Sequence, residues 1–233
     1  MKDILVEVKN LTKIYGKGEL AVKALDNINL KIRRGDFIVV MGPSGSGKTT
    51  LLNMVGALDK PSSGEVIIEN INISKIKESE LYKIRREKIG FIFQNYYLIP
   101  TLNVLQNVLV PVFPLKKKEL NFKKRARKLL SEVGLEGKEQ RKPFQLSGGE
   151  QQRVAIARAL ILDPVFILAD EPTGNLDTKM GMEIVQLMRK LNQEKEKTFL
   201  IVTHDQRIAK FSNKVIQLED GKIKTPLSTS YKT

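Results

Sequence analysis

Residues able to do chemistry are concentrated at a few positions. Gly42-Pro43-Ser44-Gly45-Ser46-Gly47-Lys48-Thr49, followed by Thr50, fits the spacing G-x-x-x-x-G-K-[ST]. Gly42, Gly45 and Gly47 let the backbone bend so that successive N–H groups face inward as an anion nest. A lysine at the sixth step along reaches β- and γ-phosphates, and the Thr49 hydroxyl suits Mg²⁺. A strand-like run at residues 37–41 enters the loop, and a helical run at residues 50–55 leaves it with its positive end at the same place. This motif calls for a nucleoside triphosphate.

Other strands are expected to deliver polar residues at their ends. Val165-Phe166-Ile167-Leu168-Ala169 is apolar enough for a buried parallel strand and runs into Asp170-Glu171. That is the Walker-B arrangement: the first carboxylate serves Mg²⁺, and the second lies where water attacks the γ-phosphate. Residues 198–202 form another such run, ending at Thr203-His204-Asp205, and His204 is the chain's only histidine. Ile89-Gly90-Phe91-Ile92-Phe93 ends at Gln94. One parallel sheet would bring Lys48, Gln94, Asp170, Glu171 and His204 to a single edge, where open α/β sheets bind ligands. Ser147-Gly148-Gly149 precedes a helix at residues 151–160, with Ser147 as N-cap, and offers a second anion-binding helix start. Tyr15 closes the strand expected at residues 4–15; its position fits either a purine-stacking aromatic or an edge tyrosine.

The positioning elements follow from periodicity. Residues 4–15 and 24–32 alternate as strands of a partly exposed sheet, and a further strand is expected at residues 65–70. Helices are expected at residues 80–87 and 179–192, the latter with Ile184, Leu187, Met188 and Leu191 on one face. From residue 102 to 135 the pattern is helical, broken at Pro111 and Pro114, so a helical insertion interrupts an otherwise α/β chain. Asp220-Gly221 marks a hairpin turn. The loop Asn95-Tyr96-Tyr97-Leu98-Ile99-Pro100 carries large apolar side chains that are either folded back into the core or docked on something.

Composition sets the bounds. The 233 residues are 41% hydrophobic, which is enough for a substantial core. With no cysteine, disulfides, zinc-thiolate sites and cysteine nucleophiles are excluded. No apolar run approaches the ~18 residues of a membrane span, and Met1-Lys2-Asp3-Ile4 does not begin a signal peptide, so a cytoplasmic chain is expected. The tail beyond Pro226 reads as disordered. Lys and Arg number 40 against 26 Asp and Glu, a net +14. That excess fits an acidic lipid surface, a nucleic acid, or simply the solvated face of an amphipathic helix. Much of it lies in Lys116-Lys117-Lys118 and Lys123-Lys124-Arg125-Ala126-Arg127-Lys128.

With these motifs in their observed order, residues 4–223 resemble the ATP-binding subunit of an ABC transporter. The resemblance implies one cassette over residues 1–233. Its α/β fold would have a P-loop NTPase core of mostly parallel sheet with flanking helices, an N-terminal antiparallel β part and a helical signature subdomain at about residues 95–160. It implies ATP and Mg²⁺ as ligands. By the same likeness Tyr15 stacks on adenine, Gln94 touches Mg²⁺ or the attacking water, and Asp170 supports Mg²⁺. Glu171 becomes the catalytic base and His204 the γ-phosphate contact. Ser147, Gly148 and Gly149 match the signature that closes over ATP on the opposite subunit, and Asp177 communicates between two sites in a head-to-tail homodimer holding two ATP. Transmembrane permease subunits are the implied partners, on the inner face of the cell membrane.

Two positions depart from the commonest pattern: Glu150 stands for glutamine, and Gly174-Asn175 stands where many cassettes have Ser-Ala. The segments 93–100 and 169–177 look most like the lipoprotein-releasing and macrolide-exporting group, while bacitracin-resistance and cell-division cassettes share much of them. A nucleic-acid-associated cassette of repair or translation type is the alternative. It requires a long coiled coil or a second cassette, for which 233 residues leave no room, so no nucleic acid is expected. A non-enzymatic regulatory cassette requires a defective site, and every catalytic position is filled.

Overall fold

Alternating apolar residues build β1 (Ile4–Tyr15), whose Leu5, Val6, Val8 and Leu11 are buried. β2 (Val22–Arg33) and β4 (Ser63–Ile68) flank it, both antiparallel, and β5 (Ile71–Asn72) closes that sheet in the order β2-β1-β4-β5. The strand expected at residues 65–70 starts two residues earlier and stops at Ile68. Glu69 and Asn70 adopt left-handed φ of 46° and 66°, turning the chain tightly into β5. The computed structural model describes residues 3–115 and 119–224. Lys116-Lys117-Lys118 and the tail beyond Pro226 lie outside them.

The second sheet has the order β10-β9-β3-β8-β7-β6. It comprises β3 (Phe37–Met41), β6 (Ile89–Phe93), β7 (Phe166–Asp170), β8 (Thr198–Val202), β9 (Lys214–Glu219) and β10 (Lys222–Lys224). All neighbours run parallel except the β9–β10 hairpin. The apolar runs are continuous because both faces are covered. Ile38, Val40, Leu200 and Val202 share a core with the antiparallel sheet and α1 (Lys48–Val55). Phe37, Val39, Phe199 and Ile201 share the other with α3 (Val104–Leu109), α4 (Glu119–Glu132), α5 (Gly148–Leu160) and α6 (Thr178–Lys195). α2 (Glu78–Lys88) and the one-turn α7 (Gln206–Ala209) are the other α-helices among the described residues.

The helical stretch breaks where proline demands it. After α3, Pro111 sits at the start of a 3₁₀ turn, Val110–Val112. On α4, Ala126, Leu129 and Leu130 are buried while Lys124, Arg127 and Lys128 are exposed, the pattern of a solvated basic face. Register sets the functional edge: Val40 lies opposite Val202, Val202 opposite Asp170, and Asp170 opposite Phe93. The residues that follow these four therefore leave the sheet side by side. The β9–β10 turn reaches the same region. Gly221 donates its N–H to the Ser46 carbonyl (3.1 Å), and Asp26 N–H donates to the Gly221 carbonyl (2.8 Å). A Cβ on Gly221, at φ 72°, would lie 2.8 Å from the Ala24 carbonyl oxygen.

Candidate functional site

The loop after β3 is shaped by close backbone approach. A Cβ on Gly42 would stand 2.0 Å from the Leu218 carbonyl oxygen, and one on Gly47, at φ 99°, would stand 2.4 Å from that of Ala24. Pro43, Ser44 and Gly45 form an exposed crest, Gly45 at φ 79°. Gly47 is the N-cap of α1 and has no side chain to spend on the first amides of the helix. Lys48 is buried, and its ammonium donates to the Gly42 and Pro43 carbonyls, each at 2.8 Å. Ser46 Oγ is buried without a protein partner inside the same loop, as a group that meets a polar ligand would be.

Two carboxylates face this loop from the end of β7. Burial, then the neighbouring Glu171 charge, push the Asp170 carboxyl above the usual aspartate range, while a hydrogen bond with Thr49 and the Lys48 charge pull it down. Glu171 sits at a left-handed φ of 44°. Such a conformation costs about 1–3 kcal/mol in a non-glycine residue and persists only where the surroundings fix it. Here they do. Glu171 N–H donates to the Val202 carbonyl (2.9 Å), and buried Gln152 of α5 donates to the carbonyl of Pro172 (2.7 Å). The carboxylate is gripped at both oxygens: Oε2 accepts from the Thr203 hydroxyl (2.9 Å), and Oε1 accepts from His204 N–H (3.2 Å) and lies 2.8 Å from His204 Nδ1. A carboxylate held this way can orient a water and take its proton.

Gln94, at the end of β6, is exposed, and its amide donates to Asn175 Oδ1 (3.1 Å). Tyr15 is near the loop: its hydroxyl donates to Asp59 (3.1 Å), Thr50 also bonds it, and Lys13 stands 4.8 Å over its ring. Thus Lys48, Thr49, Thr50, Asp170, Glu171, His204 and Tyr15 gather around one edge. Ser147, Gly148, Gly149 and Asp177 do not join them. Ser147 and Asp177 cap their own helices, and Gly148 and Gly149 lie against Tyr96, Leu176 and Met180. Among the described residues no three His, Asp or Glu side chains cluster as a metal cage. Mg²⁺ does not need one, since it is held by one or two protein oxygens plus substrate phosphates, and the touching pair Thr49 and Asp170 fits that donor set.

Sequence reasoning missed several supporting residues. Thr203, Gln152, Asp59 and Asn175 carry bonds between segments distant in sequence, which no local pattern announces. Glu150 had a readable signal. Ser147-x-x-Glu150 is a capping box, with Ser147 N–H donating to Glu150 Oε2 (2.8 Å) and Glu150 N–H to Ser147 Oγ (3.3 Å). The aromatic loop divides. Tyr97 is 62% exposed with its ring edge-on to Phe93, while Leu98 packs partly against the core.

This order of sites matches a known family, described as ABC transporter, over residues 25–174. The chain belongs to that family. The cassette is 49% identical over 223 residues to the ABC transporter ATP-binding protein MJ0796 of Methanocaldococcus jannaschii, covering 94% of this chain and 95% of that one. It is 44% identical to the macrolide export ATP-binding/permease protein MacB of Escherichia coli over 94% of this chain and 34% of that longer one. A dimeric structure of the MJ0796 cassette in a post-hydrolysis state, bound to ADP and Pi, superposes with a TM-score of 0.86 at 50% identity, covering 95% of this chain and 97% of that one. The cassette binds and hydrolyses ATP on behalf of a transporter.

Proposed function

We propose that the cassette drives export or extraction of a lipoprotein-, macrolide- or peptide-like substrate. In this reading it works at the cytoplasmic face of the membrane as a head-to-tail homodimer with two ATP at the interface, beneath separate transmembrane permease subunits. The carrying observation is Glu171: strained at φ 44° and held by Thr203 and His204, beside the Asp170–Thr49 pair. Tyr15 stacks on adenine, the loop 42–50 cradles the phosphates, and His204 contacts the γ-phosphate. Thr49 and Asp170, with Gln94 alongside, would hold Mg²⁺, which would supply charge neutralisation for the phosphates. Glu171 takes the proton of the attacking water. Ser147, Gly148 and Gly149 close over the partner's ATP, which agrees with Gly148 and Gly149 lying against Tyr96, Leu176 and Met180, and Asp177 links the two sites. Residues 95–160 form the signature subdomain of this single cassette.

Support for the export group comes from the likeness to MacB, whose chain carries a permease as well. A permease also has a place to dock. A groove of about 670 Å³ is lined by Phe91, Phe93, Tyr97, Val110, Pro111 and Leu162, one strand end from Gln94. Among the described residues no helix is long and apolar enough to cross a membrane, so the span falls to a partner in this reading. The test is Glu171→Gln. The near-isosteric amide keeps the contacts that position Mg²⁺ and phosphate, so ATP binds, turnover falls about 100-fold or more, and an ATP-bound dimer accumulates on size exclusion. Turnover within a few-fold of wild type would remove Glu171 from this role.

A further inference from the structure

Gly174 and Asn175 lie just beyond the acidic pair and make contacts that none of the roles above uses. Asn175 is exposed, yet all of its amide is engaged with a segment 80 residues away. Its Oδ1 accepts from Gln94 Nε2 (3.1 Å), and its Nδ2 donates to the Gln94 carbonyl (3.0 Å) and to Asn95 Oδ1 (2.9 Å). Gly174 makes room for this. Its φ does not require glycine, but a Cβ there would stand 2.7 Å from Gln94 Nε2 and 2.9 Å from Gln94 Cδ. Gly174 N–H in turn donates to the Glu171 carbonyl (3.0 Å). From the other side, Arg158 of α5 donates to the carbonyls of Tyr96 and Tyr97, each at 2.5 Å, and fixes both residues at left-handed φ of 54° and 48°.

A glutamine on a surface strand end has three side-chain torsions to explore, and an unheld one spends little time in any single arrangement. We propose that Asn175, seated by Gly174, is the positioning residue that sets where the Gln94 amide points. It thereby ties Gln94 to the backbone of Glu171. This rests on the assignment of Gln94 to the Mg²⁺ and attacking-water region. Asn175 itself touches neither nucleotide nor water. Its amide is matched to the task, because one acceptor and one donor bond hold the Gln94 side chain and main chain while the second donor bond holds Asn95, which a carboxylate or a methyl cannot do.

The experiment is a double-mutant cycle in the full chain, reading kcat and KM for Mg·ATP, with a thermal melt of each variant. Gln94→Ala should lower kcat. Asn175→Ala should lower it about two- to tenfold, the scale of one net hydrogen bond's worth of positioning, with KM unchanged within about twofold. The double variant should match Gln94→Ala alone. Gly174→Ala, which crowds the Gln94 amide, should behave like Asn175→Ala. Asn175→Asp should also be defective, since it sets a carboxylate oxygen against the Gln94 carbonyl and Asn95 Oδ1. All melts should coincide with wild type, as all three altered positions are exposed. If Gln94→Ala impairs turnover while Asn175→Ala is silent, or if the two losses simply multiply, the positioning role is overturned and the Gln94 reading survives. A silent Gln94→Ala overturns both. A lowered melting temperature that accounts for the Asn175→Ala loss overturns the positioning role in favour of plain structure.

Discussion

Helices α1 and α5 both begin at glycine-rich turns, and they complete that beginning in opposite ways. At α1 the N-cap is Gly47 in a left-handed conformation, and Lys48 bends back onto its own loop. At α5 the N-cap is Ser147, closed reciprocally with Glu150, which is further paired to Lys138. The Lys138 ammonium, then the bonds to Ser147, hold the Glu150 carboxyl below the usual glutamate range. The first helix start spends no side chain on its own amides, which leaves them open to the ligand proposed for this loop. The second has already satisfied part of itself, so it keeps its shape before any ligand arrives. A rigid, pre-capped start suits a ligand delivered on another molecule's surface, which is the role proposed for the signature. In the proposed reading the contrast also separates what each start would control: binding for α1, dimer closure for α5.

Variants can break that contrast or sharpen it. The largest effect is expected at the open start, α1. Lys48→Ala removes the buried charge proposed to meet the phosphates and should weaken ATP binding by calorimetry on the order of 100-fold, abolishing ATP-driven dimerisation with it. Unchanged affinity would mean that the loop is not the cradle. Next comes Ser147→Ala, tested in the Glu171→Gln background. It should leave ATP affinity of the monomer within about twofold while weakening the ATP-bound dimer about tenfold, and cost about 1 kcal/mol of stability through the lost cap. Should monomer affinity fall as far as in Lys48→Ala, the two starts serve the same nucleotide and the distinction collapses. The smallest effect is expected from Glu150→Gln. Glutamine preserves the capping box and gives up only the partly exposed pair with Lys138, about 0.5 kcal/mol, with ATPase unchanged. A large loss of turnover there would assign the Glu150 charge a part in phosphate recognition.

The strands that carry the site were legible because each is an apolar run with one polar residue at its end. Residues 89–93 and 198–202 match β6 and β8 residue for residue, and residues 37–41 match β3. Periodicity is a local property, and burial on both faces stamps it strongly. One parallel sheet was expected from those strand ends, and it forms: the pairing of Val40, Val202, Asp170 and Phe93 sets Met41, Thr203, Glu171 and Gln94 side by side. Two-residue β5 and four-residue α7 escaped, being too short to repeat a period. The left-handed pair Tyr96 and Tyr97 escaped for another reason. Nothing about tyrosine favours that conformation; Arg158, more than sixty positions later, imposes it through their carbonyls. Local chemistry wrote the elements, and distant hydrogen bonds aimed the side chains.

The place of β3 in its sheet has a consequence for synthesis. The strand that launches the nucleotide loop is flanked by β8 and β9, and the loop itself is fastened by Gly221. While the chain is being made, residues 37–49 leave the ribosome with none of these neighbours in existence. At about 5–20 residues per second, on the order of ten seconds or more pass before Gly221 is added. The antiparallel strands β1, β2 and β4 are all complete by residue 68 and can pair early. The nascent cassette thus acquires a β scaffold first and an ATP site almost last, so a product stalled before β8 carries the whole phosphate-loop motif and no place to bind ATP.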